Sequence, residues 1–426
     1  MNWRSRVALV FHFIVARGAQ FLAPIVAANL LSAADYGTVE FAHAVASIAV
    51  TLLSCGMASL IPFAIIQQDP RFTLRALLLH LAMLTGVAMS AALTLTAVAG
   101  HVTDTALLAL MLGVLAMQIT WTGLLRSSGS ATRSLYLEAT PFALVLAAAA
   151  ASRLAWPDLS LEWVFGSLLT GQLLMLVALS MYWRSAAVPS GTLHYRAAMR
   201  AGLPLMAAGL LAVVAAASGR VAAGLFAARE DAGAFAAIAR VAVLPVVAHQ
   251  LAVVARFRDL YAVPLGQLER LNTQVLTLVG LAVGVMLLLL PWIAPLFGPV
   301  FAGAMRLHPL AATQLCAHVL LWSAVAQNDL LAARHHIMPR VLPWSGAALI
   351  ISLAGSWALL SVSPASVTLV AACHIAIVAG LFAGQCVAMH RCGATYFRLW
   401  SIAVGGYLLL ALTGHLYMSI LRPAQS

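Results

Sequence analysis

VALVFHFIVARGAQFLAPIVAANLL, residues 7–31, decides how this chain is read. It is an apolar run of about 25 residues, enough to cross the roughly 30 Å hydrocarbon core of a bilayer as one helix. Arg4 and Arg6 precede it and Pro24 lies inside it. The run is too long for a signal-peptide core and has no clear cleavage site, so it reads as a first spanning helix. Arg17 stands near its middle. A cation at that depth costs about 2.5 kcal/mol or more, so it is expected to face a water-filled cavity or a partner. Arg220 and Arg240 stand within two later apolar runs. No intramembrane carboxylate lies close in sequence to any of the three. The pattern predicts a positively charged internal cavity that holds something anionic.

The whole chain agrees with that start. Of its 426 residues, 63% are hydrophobic and only 8% are charged. A soluble domain is about 25% charged, so this composition predicts an integral membrane protein. All 23 basic residues are arginine. The net charge of +11 marks cytoplasmic loops and does not point to nucleic acid. Cys55, Cys316, Cys373, Cys386 and Cys392 form no CxxC pair and read as ordinary thiols, with no disulfide framework, metal site or cofactor implied.

Apolar runs of spanning length fall near 7–31, 38–66, 74–99, 105–126, 134–155, 162–183, 201–226, 232–255, 273–298, 308–333, 341–361, 366–389 and 398–421. The last contains Gly405, Gly406 and His415 and reads as either a span or an interfacial helix. The predicted fold is therefore all-α and polytopic, with 12–13 transmembrane helices. With the N-terminus inside, the inner loops collect Arg71, Arg75, Arg126, Arg133, Arg184, Arg196, Arg200, Arg256, Arg258, Arg270, Arg334, Arg340, Arg391 and Arg398. The outer loops collect Arg153, Arg229 and Arg306 and most of the acids, Asp158 among them. This bias satisfies the positive-inside rule.

The longest hydrophilic connection, RSAAVPSGTLHYRAAMR (184–200), divides the chain. The expected organisation is a six-helix bundle at 1–185, a cytoplasmic linker at 186–200, a second six-helix bundle at 201–392, and a further helix within 393–426. Asp35 precedes Gly37 near the first outer loop as Asp231 precedes Gly233 near the seventh helix. Even-numbered halves enter the membrane the same way, which predicts a pseudo-two-fold along the membrane normal.

L-x-x-x-D-Y-G (31–37), the small-residue turn SCGMAS (54–59), LLRSSGSATRSL (124–135), GLPLMAAGLLAVVAAASGR (202–220) and PLFGPVFAGA (295–304) occur in this order. Together they resemble the polysaccharide or O-antigen flippases, in the superfamily that also holds the multidrug and toxic compound extrusion transporters and the lipid II flippases. The resemblance implies two six-helix bundles around a cationic cavity. It implies a carrier that moves a polyprenyl-pyrophosphate-linked oligosaccharide to the periplasmic leaflet of a bacterial inner membrane by alternating access. It implies no covalent chemistry and no cofactor. The partners it implies are membrane lipids, the lipid-linked substrate, and the polymerase and assembly proteins of one pathway. Many relatives carry Asp before the arginine of the seventh helix, whereas Ser218-Gly219-Arg220 stands here.

Arg17 lies about ten residues into its helix, roughly 15 Å deep. Gln20 and Pro24 extend it into one polar stripe. It reads either as a phosphate or sugar contact or as a structural arginine bonding carbonyls freed by Pro24. Arg220 and Arg240 stand at similar depths, and two close cations favour an anion between them. The bland reading has Arg220 snorkelling to Glu230 or Asp231. His12 and His43, like His318 and His374, could couple to protons but more often such residues pack. Glu138 with Arg133, and Asp329 with Arg334, read as inner-rim pairs. Trp121, Trp183, Trp292 and Trp400 read as interfacial anchors. No Walker, GxSxG or HExxH motif occurs. A drug or cation antiporter of the same superfamily would need an acid in its cavity. A membrane glycosyltransferase or polymerase would need a large outer loop. The lipid II flippase reading stays open.

Overall fold

The computed structural model describes residues 3–66, 72–155, 160–185, 195–247, 249–250 and 264–421. Arg71, Asp158, Arg256, Arg258 and the stretch 186–194 lie outside them, as do the side chains of Arg4, Arg6, Arg153 and Arg184. The described residues are helical throughout, with no strand among them. Twelve of their helices are long and apolar enough to cross a membrane.

The first compact unit runs to Ala217. It contains α1 (Trp3–Leu30), α2 (Ala33–Leu53), α3 (Met57–Ile65), α4 (Leu74–Ala99), α5 (Asp104–Ser127), α6 (Ala131–Ala155), α7 (Leu161–Ser185) and most of α8 (Tyr195–Phe226). Within it α1 packs along α6, α2 and α4 pack on α5, and α6 packs on α7. The D-Y-G stretch is a helix start. The Ser32 hydroxyl accepts from the Asp35 backbone N–H at 3.0 Å and lies 2.8 Å from the Asp35 carboxylate, while Tyr36 is buried. Thr103 caps α5 in the same way, accepting from Ala106 N–H at 3.1 Å. Both satisfy an orphan donor and put an acid in a first turn.

The expected second span, 38–66, is broken at the small-residue turn. Cys55 and Gly56 take positive φ of 49° and 72°, which separates α2 from α3. A Cβ on Gly56 would lie 2.1 Å from the Gly202 carbonyl oxygen, so the turn rests backbone-to-backbone on α8. Only a residue without a side chain fits there.

The second unit starts at Ser218, inside α8. It contains α9 (Arg229–Ala242), α10 (Leu265–Ile293), a 3₁₀ turn (Ala294–Phe297), α11 (Pro299–Leu307), α12 (Pro309–Ala317), α13 (Val319–Arg334), α14 (Met338–Val362), α15 (Val367–Arg391) and α16 (Phe397–Leu421). Here α9 packs on α11 and α12, α10 on α13 and α16, and α14 on α15. The expected eighth span, 232–255, does not form one helix over its described part. It turns at Val243 before Pro245, because proline supplies no N–H and disfavours helix in the residue before it. The segment at 398–421 is one helix, and Phe397–Ile420 is long and apolar enough to cross a membrane. Of the two glycines that make it look weak in the sequence, Gly406 is a contact point, where a Cβ would lie 3.0 Å from Leu320, whereas one on Gly405 would meet nothing within 4 Å; Gly414 makes a further contact, 3.2 Å from Leu287.

Large apolar side chains such as Val87, Ile350, Ile351 and Leu412 are exposed, as a lipid-facing surface requires. One of the expected interfacial tryptophans, Trp121, is an internal post instead, and a second, the half-buried Trp400, is tied to a neighbouring helix. Trp121 is buried and donates to the Met175 carbonyl at 3.3 Å, and Trp400 donates to Asn328 at 3.1 Å. Indole N–H groups seek such partners when they leave water.

Candidate functional site

Arg17 has an intramembrane carboxylate partner that sequence spacing does not show. Its Nη2 lies 3.6 Å from Oε2 of Glu138, across the α1–α6 contact. The inner-rim pair expected between Glu138 and Arg133 is not what the structure shows. Arg133 is exposed at the start of α6, while Glu138 is buried and turned toward Arg17 and Arg126. Residues 133 and 138 fall short of two full helical turns apart, so α6 presents them to different surroundings.

The two oxygens of Glu138 are held unequally. Oε1 takes the Thr122 hydroxyl at 2.6 Å, the Ser134 hydroxyl at 2.7 Å and Nη2 of Arg126 at 3.3 Å. Oε2 has only the 3.6 Å approach of Arg17 among the described residues, longer than a hydrogen bond. Gln118 donates to the Glu138 backbone carbonyl at 2.7 Å, so α5 grips Glu138 through three residues, Gln118, Thr122 and Arg126. Glu138 is the eighth residue of α6, about 10 Å from its start. Arg126 is the penultimate residue of α5. The Arg17 guanidinium is thus met by the first third of α6 and the last turn of α5.

Arg17 is itself incompletely satisfied. Its Nη1 donates to Gln20 Oε1 at 2.6 Å, so the two share one polar stripe, and its Cζ lies 5.8 Å from the Phe13 ring. Its Nε is buried with no hydrogen-bond partner among the described residues. The Nε–H and Nη2 share one edge of the guanidinium, the edge that takes two oxygens of a carboxylate or phosphate side by side. Here that edge carries one orphan donor and one long contact.

In the second unit, Ser218-Gly219-Arg220 meets α15. The Ser218 hydroxyl and His374 Nδ1 are 2.8 Å apart. Gly219 sits under the Phe235 ring and His374, at 2.5 and 2.9 Å from where a Cβ would lie. The His318 ring stands 5.0 Å from that of His374, edge to face. These two histidines are buried packing residues. Arg220 and Arg240 have partly exposed side chains on α8 and α9. Arg17 and Gln20 thus belong to one unit, Arg220 and Arg240 to the other. His12 is bound to the Tyr136 hydroxyl at 2.7 Å, and His43 is half-buried on α2. Asp329 accepts from Gln385 at 2.9 Å, a link from α13 to α15 that the sequence does not announce.

Comparison with known proteins gives a family and a fold. Residues 3–257 match the family described as polysaccharide biosynthesis protein. Among solved structures, a multidrug resistance MATE family transporter of the MOP superfamily, in an inward-facing conformation, gives a TM-score of 0.59. It is 15% identical, over 96% of this chain and 96% of that one. A MOP superfamily transporter from Pyrococcus furiosus, described by the reverse polarity of its binding pocket, gives 0.51 at 15% identity over 98% and 96%. An outward-facing MATE family transporter gives 0.51 at 14% identity over 99% and 96%. At these identities the likeness is one of fold. No curated protein matches by sequence. The chain is a multi-pass, all-helical membrane protein with a MATE-like MOP fold, and it belongs to the polysaccharide biosynthesis protein family.

Proposed function

We propose that this protein is a flippase. It carries a polyprenyl-pyrophosphate-linked oligosaccharide from the cytoplasmic to the periplasmic leaflet of a bacterial inner membrane, for cell-surface polysaccharide assembly. Its N-terminus lies in the cytoplasm, and it works by alternating access without covalent chemistry. The observation that carries this reading is the under-used Nε–Nη2 edge of Arg17 inside an apolar bundle. A phosphoryl group supplies the two oxygens that edge takes. Gln20 fixes the guanidinium from behind, and Arg220 and Arg240 are carried as further candidate cations for an anionic group. Membership of a polysaccharide biosynthesis family and a transporter fold support the substrate class. An inside-negative potential favours outward movement of a negative headgroup by about 2.3 kcal/mol per charge per 100 mV. A polymerase and other assembly proteins would act on the delivered lipid.

A cation antiporter needs an available acid. Glu138 is engaged by two hydroxyls and two guanidiniums, which favours the anion reading. The test uses cells lacking their own flippase and radiolabelled lipid-linked oligosaccharide, with access to a periplasmic enzyme as readout. Wild-type protein should restore access, and Arg17→Ala, Arg220→Ala and Arg240→Ala should lose it at matched expression. Rescue by all three variants would remove the cationic site. No rescue by wild type with any oligosaccharide would remove the flippase.

A further inference from the structure

We infer that Glu138 is a built-in stand-in for the substrate's phosphate: it holds Arg17 by the loose end of its carboxylate and yields it to an incoming anion, so that loading the headgroup unfastens α1 from α6. The inference rests on the anion-binding reading of Arg17 above and adds a residue that governs it.

The asymmetry of the carboxylate is the argument. Thr122, Ser134 and Arg126 all converge on Oε1, at 2.6, 2.7 and 3.3 Å. These partners come from α5 and from α6 itself, so they anchor Glu138 whatever α1 does. Oε2 faces Arg17, at 3.6 Å. A carboxylate anchored only by Arg17 would follow the guanidinium or be left a bare buried charge when it moved, at a high cost. This one keeps its hydroxyls and one cation when Arg17 leaves, so the exchange leaves no naked anion behind.

The same geometry explains why Arg17 is available. Two guanidiniums share one carboxylate, so the cluster carries one positive charge in excess. The donors of Arg17 that fit an oxyanion are the ones Glu138 does not use well: Nε–H, without a partner among the described residues, and Nη2, beyond hydrogen-bond reach of Oε2. A phosphoryl group with its own two oxygens forms both bonds, and charge-assisted bonds of that kind are about twice as strong as neutral ones. Glu138 therefore competes with the substrate without excluding it, and sets the affinity of the site.

The test uses the full-length protein in nanodiscs, with inorganic pyrophosphate as the probe and calorimetric binding as the readout. Removing the competing charge with Glu138→Gln should tighten pyrophosphate binding on the order of tenfold, the scale of one lost charge pair. Glu138→Asp, which keeps the charge but withdraws it by one methylene from Arg17, should tighten it too. Arg17→Gln should abolish binding, and adding Glu138→Gln to Arg17→Gln should not restore it. A folded Glu138→Gln that binds as wild type or more weakly overturns the inference and makes Glu138 a structural clamp. So does failure of both Glu138 variants to fold while Thr122→Val folds. No binding by wild type removes the anion site and this inference together. Normal binding with the predicted Glu138 effect but no lipid transport removes only the flippase.

Discussion

Gly56 and Gly100 share a backbone conformation, φ of 72°, but not an environment. A Cβ on Gly100 would find nothing within 4 Å, whereas one on Gly56 would stand 2.1 Å from the Gly202 backbone. Gly100→Ala should therefore cost only the left-handed strain, about 1 kcal/mol. Gly56→Ala should cost about 3 kcal/mol or more, because two backbones must also separate. Thermal unfolding in detergent would order the two, and equal losses would mean the turn does not rest on α8. Ser134→Ala tests the Glu138 cluster at the same scale. Ser134 is fully buried, so losing its hydroxyl should destabilise by about 1–3 kcal/mol in the same assay. At this scale Arg17 and Gln20 are legible in the sequence because a polar stripe stands out in an apolar helix. Their neighbour is not, because Glu138 is brought to Arg17 by the α1–α6 packing and by no periodicity. The available signal is an acid inside the apolar run 134–155, with Thr122 and Ser134 nearby in sequence.

Helix contacts in a bilayer depend on small residues that let backbones approach, since lipid offers no hydrophobic drive. Gly380 and Gly384 on α15 form such a pair, one helical turn apart. A Cβ on Gly384 would lie 2.7 Å from Ala348 and 3.0 Å from the Trp344 carbonyl of α14. Arg391 closes the same hairpin by standing 4.0 Å over the Trp344 ring. Gly384→Leu should lower the melting temperature and loosen α14 from α15. Gly355→Ala, on α14 with nothing within 4 Å, should be neutral or stabilising by up to about 1 kcal/mol through helix propensity. Loss of stability in both would deny the contact its specificity. Most element lengths are legible in the sequence, since twenty apolar residues leave few alternatives. The breaks are less so. The 54–56 turn is readable from its small residues, but the end of α9 before Pro245 is hidden by the apolar run continuing on both sides.

For the whole molecule the legible quantity is charge. The α14–α15 hairpin has Arg340 and Arg391 at one end and none at the Ser363 end, and Arg398 follows directly. With the arginine end cytoplasmic, Ser363→Cys in a cysteine-free background should react with an impermeant maleimide in intact cells. Arg398→Cys should react only after permeabilisation. The reverse pattern would invert the topology and with it the direction of transport. Helix lengths alone do not carry this information; it comes from where the arginines stand between the spans.

The boundary between the two compact units falls at Ala217 and Ser218, inside the unbroken α8. The break that looks natural in the sequence, the hydrophilic linker at 186–200, is therefore not the break between the units. A gene divided there, ahead of Tyr195, would give a first polypeptide short of Tyr195–Ala217, a length of helix that its own unit uses at Gly202 against Gly56. The second polypeptide would carry that length away. Two such fragments made together could complete the protein only by one lending a helix to the other, and neither made alone would be a whole half.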